Sequence, residues 1–154
     1  VNGRNDSIDD DLKMVIKEAI ENIIKKMETW HIADSMDEIW KIVNRANKYI
    51  DETMPWALAK NEADKPRLMT VLYNLLESIR YIAVMLQPMM PQTAELIFES
   101  LNTKLNTWES VEDFGGLATG EKVGEAKPMF ARIDEEKKLQ EIAEEIRKIA
   151  GGLK

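Results

Sequence analysis

The sequence predicts an all-α fold, an antiparallel helix bundle with an irregular Gly-rich segment and a C-terminal helix. Its apolar residues recur at three-and-four spacing along several stretches of the 154-residue chain, which is the period of an amphipathic helix. Prolines stand between these stretches, where they end one helix or begin the next. A 44% hydrophobic content over this length is enough for one domain with its own core.

The first two helices are predicted at 10–28 and at about 33–50. Ser7 or Asp9 is a plausible N-cap for the first. Its apolar stripe comprises Leu12, Val15, Ile16, Ala19, Ile20, Ile23, Ile24 and Met27. The inner stripe of the second comprises Met36, Ile39, Trp40, Val43, Ala46 and Ile50. Because Trp40 lies in the middle of that stripe, we expect it in the core.

A sharp corner is predicted at Pro55, which cannot continue the second helix but suits the first position of a new one. Trp56 follows it. This large ring either fills a gap between helices, as tryptophan usually does, or leaves the helical surface to meet a ligand. Asn47 lies on or beside the inner face and is expected to tie its helix to the corner or to a neighbouring helix rather than to contact a ligand, because buried amides need partners.

The third long helix is predicted at 66–86 and is apolar on more than one side, so we expect it to be the central, buried helix of the bundle. Glu77 and Arg80 form part of its polar edge and are close enough along the helix to pair. Pro88 and Pro91 bracket a turn, and a short helix follows to about residue 102.

From 103 to 133 the pattern changes to glycines and a proline, which predicts loop or short extended pieces. A loop this long usually has a function. The final helix is predicted at 135–150, with Leu139, Ile142, Ala143, Ile146 and Ile149 on one face. Gly151 and Gly152 end it.

Composition excludes several kinds of function. The net charge of −7 argues against a broad phosphate-binding surface. Without cysteine and with a single histidine, neither the Glu28–His31 spacing nor any other group predicts a metal site. No phosphate-binding loop or nucleophile motif is present. The acidic N-terminus is unlike a signal peptide, and the apolar runs are expected to be too short for a membrane span.

The residues around the corner resemble a known family. Ala46-Asn47-Lys48-Tyr49-Ile50-Asp51-Glu52 and Pro55-Trp56-Ala57-Leu58-Ala59-Lys60 are similar to the anticodon-binding domain of bacterial methionyl-tRNA synthetase, a class I synthetase. The stretches 71–77, 86–95, 120–124 and 127–134 share the similarity, so it covers about residues 2–134. It implies that Trp56 stacks on the wobble cytosine of the CAU anticodon, that Pro55 fixes the ring direction, and that Asn47 and Asp51 hold the corner.

The resemblance also implies what is missing. Neither class I catalytic signature occurs, so ligation of methionine to its tRNA, with ATP and magnesium, would belong to a catalytic domain outside this chain. The family's helix carrying an asparagine and an arginine that read the cytosine precedes this region, and Asn2, Arg4, Asn5 and Arg45 do not replace it. Its loss would uncover apolar surface and favour self-association.

The resemblance therefore predicts a cytoplasmic, tRNA-binding module that takes no cofactor of its own. Residues 1–133 would form the anticodon-binding bundle with a return peptide at 103–133, and 134–154 a C-terminal helix or linker. The expected partners are methionine tRNA and the catalytic domain of the same enzyme. The alternative function is a helical scaffold or protein-interaction domain with no RNA role. Burial of both faces of the Trp56 ring would favour that alternative.

Overall fold

The computed structural model describes residues 6–120, 122–125, 128–130 and 132–151. Across this part of the chain the fold is all-α and contains no strand, which confirms the predicted class. The helices are α1 (Ser7–Glu28), α2 (Ile32–Thr53), α3 (Pro55–Leu58), α4 (Lys65–Leu86), α5 (Pro91–Leu101) and α6 (Glu135–Gly151). Short 3₁₀ turns lie at Glu62–Asp64 and Trp108–Val111. Expectations for residues 1–5, Gly152 and parts of the return peptide lie outside the described residues.

The core lies where α1 and α2, paired as an antiparallel hairpin, pack against α4. The α1 stripe is buried, as predicted, at Leu12, Ile16, Ala19 and Ile23. It meets Ile39, Ile42 and Tyr49 of α2 and Val71, Tyr81 and Val84 of α4. Helix α5 covers the last turns of α4 with Ala94, Ile97, Phe98 and Leu101.

The structure corrects the prediction for Trp40, whose side chain is 51% exposed rather than buried. The buried face of α2 is centred near Ile42, and at 3.6 residues per turn Trp40 lies roughly 160° around the helix from it. The three-and-four spacing of the sequence selects a stripe that is rotated around α2 from the inner face, so it shares Ile39 and Ala46 with that face but also includes Trp40. Glu38 occupies the inner face instead, because Lys26 and Lys41 neutralise it at 2.6 and 2.7 Å.

Helix α4 is central, but one of its faces is open. Arg80, Glu77 and Asn74 are buried, whereas Met69, Leu72 and Ile79 are at least 40% exposed. The segment 62–86 is long and apolar enough to cross a membrane by length and composition alone, which corrects the expectation that every apolar run would be too short. However, 56% of its apolar window is buried in the bundle, as in the core helix of a folded domain.

Candidate functional site: the proline–tryptophan corner

The corner is formed by Met54, whose backbone adopts the left-handed helical conformation. Met54 has φ 43° and ψ 63° and caps the end of α2 with a hydrogen bond from its amide to the Ile50 carbonyl, 2.9 Å long. Residues other than glycine rarely adopt this backbone conformation. A residue before proline usually avoids the right-handed helical region by adopting an extended conformation. Met54 avoids it by adopting the left-handed helical conformation instead. This single residue redirects the chain from α2 into α3.

Helix α3 is a single turn with Pro55 at its start and Trp56 on its outer side. Amides of Ala57 and Ala59 donate to the carbonyls of Met54 and Pro55 at 2.8 and 2.9 Å, so the turn is closed on itself. Leu58 packs against the core from the inner side. Trp56 is 55% exposed, so its indole is available to solvent on a backbone that is held at both ends.

Asn47 and Asp51, which the resemblance implies hold the corner, do not brace it in this structure. Asn47 and Asp51 lie on the outer face of α2, and both are exposed. Neither side chain forms a hydrogen bond or ion pair with any residue that the structure describes. Local bonds hold the corner instead, including one from Thr53 Oγ1 to the Tyr49 carbonyl at 2.6 Å. Pro55 is half-buried.

A buried polar network lies beneath the corner and joins three helices. Tyr49 of α2 is fully buried and donates its hydroxyl to Asp9 of α1. Arg67 of α4 binds both oxygens of the same carboxylate, one of them at 3.0 Å. Asn74 completes the network by donating its amide to the Tyr49 hydroxyl at 3.1 Å. The end of α2 is therefore fixed relative to the starts of α1 and α4.

Electrostatics keep this network in one charge state. Burial alone would raise the pKa of Asp9, but hydrogen bonds from Arg67, Tyr49 and the Asp6 amide outweigh it and hold that pKa below its ordinary value. Burial and the adjacent Asp9 charge raise the pKa of the Tyr49 phenol well above its ordinary value. At neutral pH the network therefore contains a carboxylate, a neutral phenol and a guanidinium.

A second set of ion pairs and hydrogen bonds, centred on Arg45, joins the start of α1 to the end of α2 closer to the surface. Arg45 pairs with Asp11 at 2.6 Å and with Glu52 at 3.1 Å. It also donates to the Ile8 carbonyl at 3.3 Å. Arg45 thus serves helix packing in this structure.

Sequence reasoning missed the network because its members are far apart in the chain. The sequence indicates Asp9 only as a possible helix cap, and no pattern marks Arg67. The one available signal was Tyr49, which follows the core-facing Ala46 by three residues. A buried tyrosine hydroxyl needs a hydrogen-bond partner, so a polar residue on a neighbouring helix could have been predicted there.

Acid should weaken the fold through Asp9. Because the folded-state pKa of Asp9 is lowered, its contribution to stability is present above the unfolded-state pKa of about 3.9 and is lost as pH falls through the lower folded value. We expect Asp9→Asn to lower the free energy of unfolding at pH 7 and to flatten its dependence on pH below about 4. Urea denaturation at several pH values measures both effects. An unchanged pH dependence in Asp9→Asn, measured against the exposed control Asp37→Asn, would contradict this account.

The described residues contain no cluster of three side chains suited to a metal ion. His31 lies in the exposed turn before α2, with its Nδ1 2.9 Å from Thr29 Oγ1. The Glu28–His31 spacing therefore leads to no inward-facing pair of ligands. What the site offers chemically is an exposed aromatic face on a rigid turn, with polar side chains along the helix that leads to it.

The fold and the corner together define an all-α bundle module that presents an indole at a proline break. The sequence matches the family described as the anticodon binding domain of methionyl tRNA ligase over residues 2–150. The chain belongs to this family, which confirms the resemblance noted from the sequence.

Relatives and solved structures agree with this assignment. The chain is 47% identical over 132 residues to a methionine–tRNA ligase of Clostridium acetobutylicum, covering 86% of this chain and 20% of the relative. It is 38% identical to that of Bacillus subtilis, covering 85% and 20%. The crystal structure of free Mycobacterium tuberculosis methionyl-tRNA synthetase matches with a TM-score of 0.79 at 26% identity, covering 86% and 27%. A structure of that synthetase bound to methionyl-adenylate matches with a TM-score of 0.68 at 25% identity, covering 75% and 25%.

Proposed function

We propose that this chain binds the anticodon loop of methionine tRNA and that Trp56 is the surface on which an unpaired anticodon base stacks. The observation that carries the proposal is the half-exposed indole on a rigid turn, in a chain of the anticodon-binding family. Proteins read single-stranded RNA loops by stacking splayed bases on aromatic side chains and then bonding the base edges.

In this proposal each part of the corner has a separate role. Met54 and Pro55 direct the ring outward, and the network around Asp9 and Tyr49 fixes the end of α2 so that the direction is kept. Asn47 and Asp51 stay in the proposed site as exposed polar groups on the helix that leads to the ring. Their side chains are available to RNA rather than engaged in bracing the corner.

The charge balance is consistent with recognition of a few bases rather than of the tRNA backbone. With a net charge of −7, the chain gains little from displacing counterions on phosphates. One stacked base contributes roughly 1–3 kcal/mol. We therefore expect weak binding by this chain alone, with most tRNA affinity supplied by the rest of a larger protein.

The chain spans about a fifth of the length of the curated relatives described above. We infer that it works within a cytoplasmic methionine–tRNA ligase, whose catalytic domain would use ATP and magnesium to join methionine to tRNA. Within that protein, residues 1–133 would form the anticodon-binding bundle and residues 134–154 a helix or linker. The CAU specificity would be completed by a preceding helix that carries the base-edge readers.

The alternative, a helical scaffold without an RNA role, predicts a different environment for Trp56. A scaffold tryptophan would be buried between helices on both faces, whereas this indole is 55% exposed. The exposure favours the RNA-binding function over the scaffold.

The four tryptophans allow a direct test. All are exposed, namely Trp30, Trp40, Trp56 and Trp108, so each indole N–H gives a separate reporter in a ¹⁵N NMR spectrum. We expect titration with an RNA stem-loop carrying CAU to shift the Trp56 resonance selectively, and a stem-loop with a changed first anticodon base to shift it less. Equal shifts at all four indoles, or none at Trp56 at saturating RNA, would contradict the proposal.

A further inference from the structure

A small cleft lies between α1 and the irregular segment at residues 111–114, and Tyr81 of α4 is among the residues that line it. Its volume is about 410 Å³, which is within the range of about 300–1,000 Å³ that small-molecule sites occupy. The first half of α1 forms one wall, and residues 111–114 form the other. The cleft shares no residue with the Trp56 corner.

The inner surface of the cleft is apolar and aromatic. Ile16, Tyr81 and Val111 are buried there, and Ile20 and Phe114 are partly buried. The Tyr81 and Phe114 rings are neighbours, with centroids 5.5 Å apart and planes tilted by 37°. Aromatic rings favour such tilted or offset contacts over direct face-to-face stacking. This surface therefore suits a ligand with a flat or aliphatic apolar body.

The Tyr81 hydroxyl is a buried donor without a partner. The residue is 2% exposed, and its hydroxyl oxygen forms no hydrogen bond with the part of the chain that the structure describes. Buried polar groups are nearly always hydrogen-bonded, and an unsatisfied one costs stability. Burial raises the pKa of the Tyr81 phenol to about 12. The hydroxyl therefore keeps its proton at neutral pH and can donate a hydrogen bond to an acceptor in the cleft.

Two lysines of the α1 wall have no acidic partner within the described chain. Lys13 and Lys17 are four residues apart, so their side chains lie on the same side of the helix. Neither forms an ion pair or a hydrogen bond with any residue that the structure describes. Lys13 Nζ lies 5.6 Å from the centre of the Phe114 ring, which keeps its charge beside the aromatic surface. A carboxylate seated here would accept charge-assisted hydrogen bonds.

The acidic residues of the cleft limit the charge that a ligand can carry. Asp10, Glu112 and Asp113 are exposed along its edge. With three acidic and two basic side chains, the cleft exerts no net long-range attraction on an anion. Binding must therefore come from direct contacts of one carboxylate and of an apolar body. A phosphate group lacks the apolar body and is costlier to remove from water when doubly charged, so it fits the cleft less well.

We propose that this cleft binds a small carboxylate with an apolar or aromatic body. The body packs against Tyr81 and Phe114. The carboxylate accepts hydrogen bonds from the donors of the cleft, which are Lys13, Lys17 and the Tyr81 hydroxyl. This site does not depend on the RNA-binding function.

Titration of the whole chain with phenylpropionate, followed by ¹⁵N NMR, tests the site. We expect the backbone amide signals of residues 13–20 and 111–114 to shift together and to saturate with a Kd of about 1–10 mM, as is usual for so small a ligand. Phenylpropanol has the same body without the charge, and inorganic phosphate has charge without the body. Both should bind at least several-fold more weakly. Equal affinity for either one, or shifts that do not saturate by about 50 mM phenylpropionate, would overturn the proposal.

Substitutions test the donors separately from the fold. Lys13→Gln should weaken phenylpropionate binding several-fold, whereas Lys25→Gln, on the same helix but outside the cleft, should bind like the wild type. Tyr81→Phe removes only the unpartnered hydroxyl, so it should be at least as stable as the wild type in urea yet bind several-fold more weakly. Tyr73→Phe should lose stability but not affinity, because its hydroxyl donates to the Leu117 carbonyl outside the cleft. Wild-type affinity in either Lys13→Gln or Tyr81→Phe would overturn the proposed set of donors.

Discussion

Replacing Arg80 with methionine is expected to lower the free energy of unfolding by about 3–5 kcal/mol, the usual cost of removing one partner of a buried ion pair. Arg80 and Glu77 are both fully buried, with Arg80 Nη2 2.7 Å from Glu77 Oε2. Methionine fills similar space but leaves the Glu77 carboxylate without its cation in the interior. Urea denaturation followed by circular dichroism measures the change.

The double variant Glu77→Gln/Arg80→Met is the control for this explanation. If the loss comes from an unpaired buried charge, neutralising Glu77 should recover part of it, so the two changes will not add. Lys138→Met breaks an exposed pair and should leave stability unchanged within error. Additive losses in the double variant would mean that packing, rather than charge, dominates at Arg80.

The same pair holds the irregular segment onto α4. Arg80 Nη1 donates to the carbonyl and hydroxyl oxygens of Ser110, each at 3.0 Å, and Glu77 accepts from the Leu117 amide. Tyr73 donates to the Leu117 carbonyl at 2.9 Å. The part of the return peptide around 108–117 is therefore an anchored element of the fold. Its protection from limited proteolysis should decrease in Arg80→Met before the helices unfold.

Sequence periodicity located the helices because the information is local. Proline positions and three-and-four spacing placed the helices within a few residues of their observed ends. The burial of Glu77 and Arg80 was not predictable in the same way. Their pairing follows from a separation of three residues, but their burial depends on the segment around Ser110 and Leu117, some thirty to forty residues later.

Trp40 and Trp56 show where residue type misleads. Tryptophan is mostly buried in proteins, and Trp40 lies within an apolar stripe, yet both side chains are about half exposed. Periodicity could not distinguish the inner face of α2 from the rotated stripe that includes Trp40, because the inner face holds the charged Glu38, which two lysines neutralise. For Trp56, the break at Pro55 was visible in the sequence. The direction of the ring depended on the left-handed Met54, which no residue pattern predicted.

Trp40 and Trp56 are exposed to nearly the same extent, so Trp40→Ala is a matched control for testing whether Trp56 binds RNA. Trp56→Ala and Trp40→Ala should each lower the free energy of unfolding by less than about 1.5 kcal/mol, since neither ring is in the core. A fully buried tryptophan would cost about 3–5 kcal/mol. The core position that the apolar stripe predicts for Trp40 would have made Trp40→Ala strongly destabilising, whereas its 51% exposure does not.

Function should separate the two variants where stability does not. Loss of one stacked base costs about 1–3 kcal/mol of binding, which corresponds to a roughly 5–150-fold fall in kcat/KM for tRNA. We expect that fall for Trp56→Ala in a full-length ligase carrying this domain, with methionine activation unchanged, and a much smaller effect for Trp40→Ala. Trp56→Phe keeps a stacking face and should recover most of the activity. If Trp56→Ala charges tRNA like the wild type, or if both variants lose the same activity, Trp56 is not the base platform, and membership of the family would then be the only support for anticodon binding at this corner.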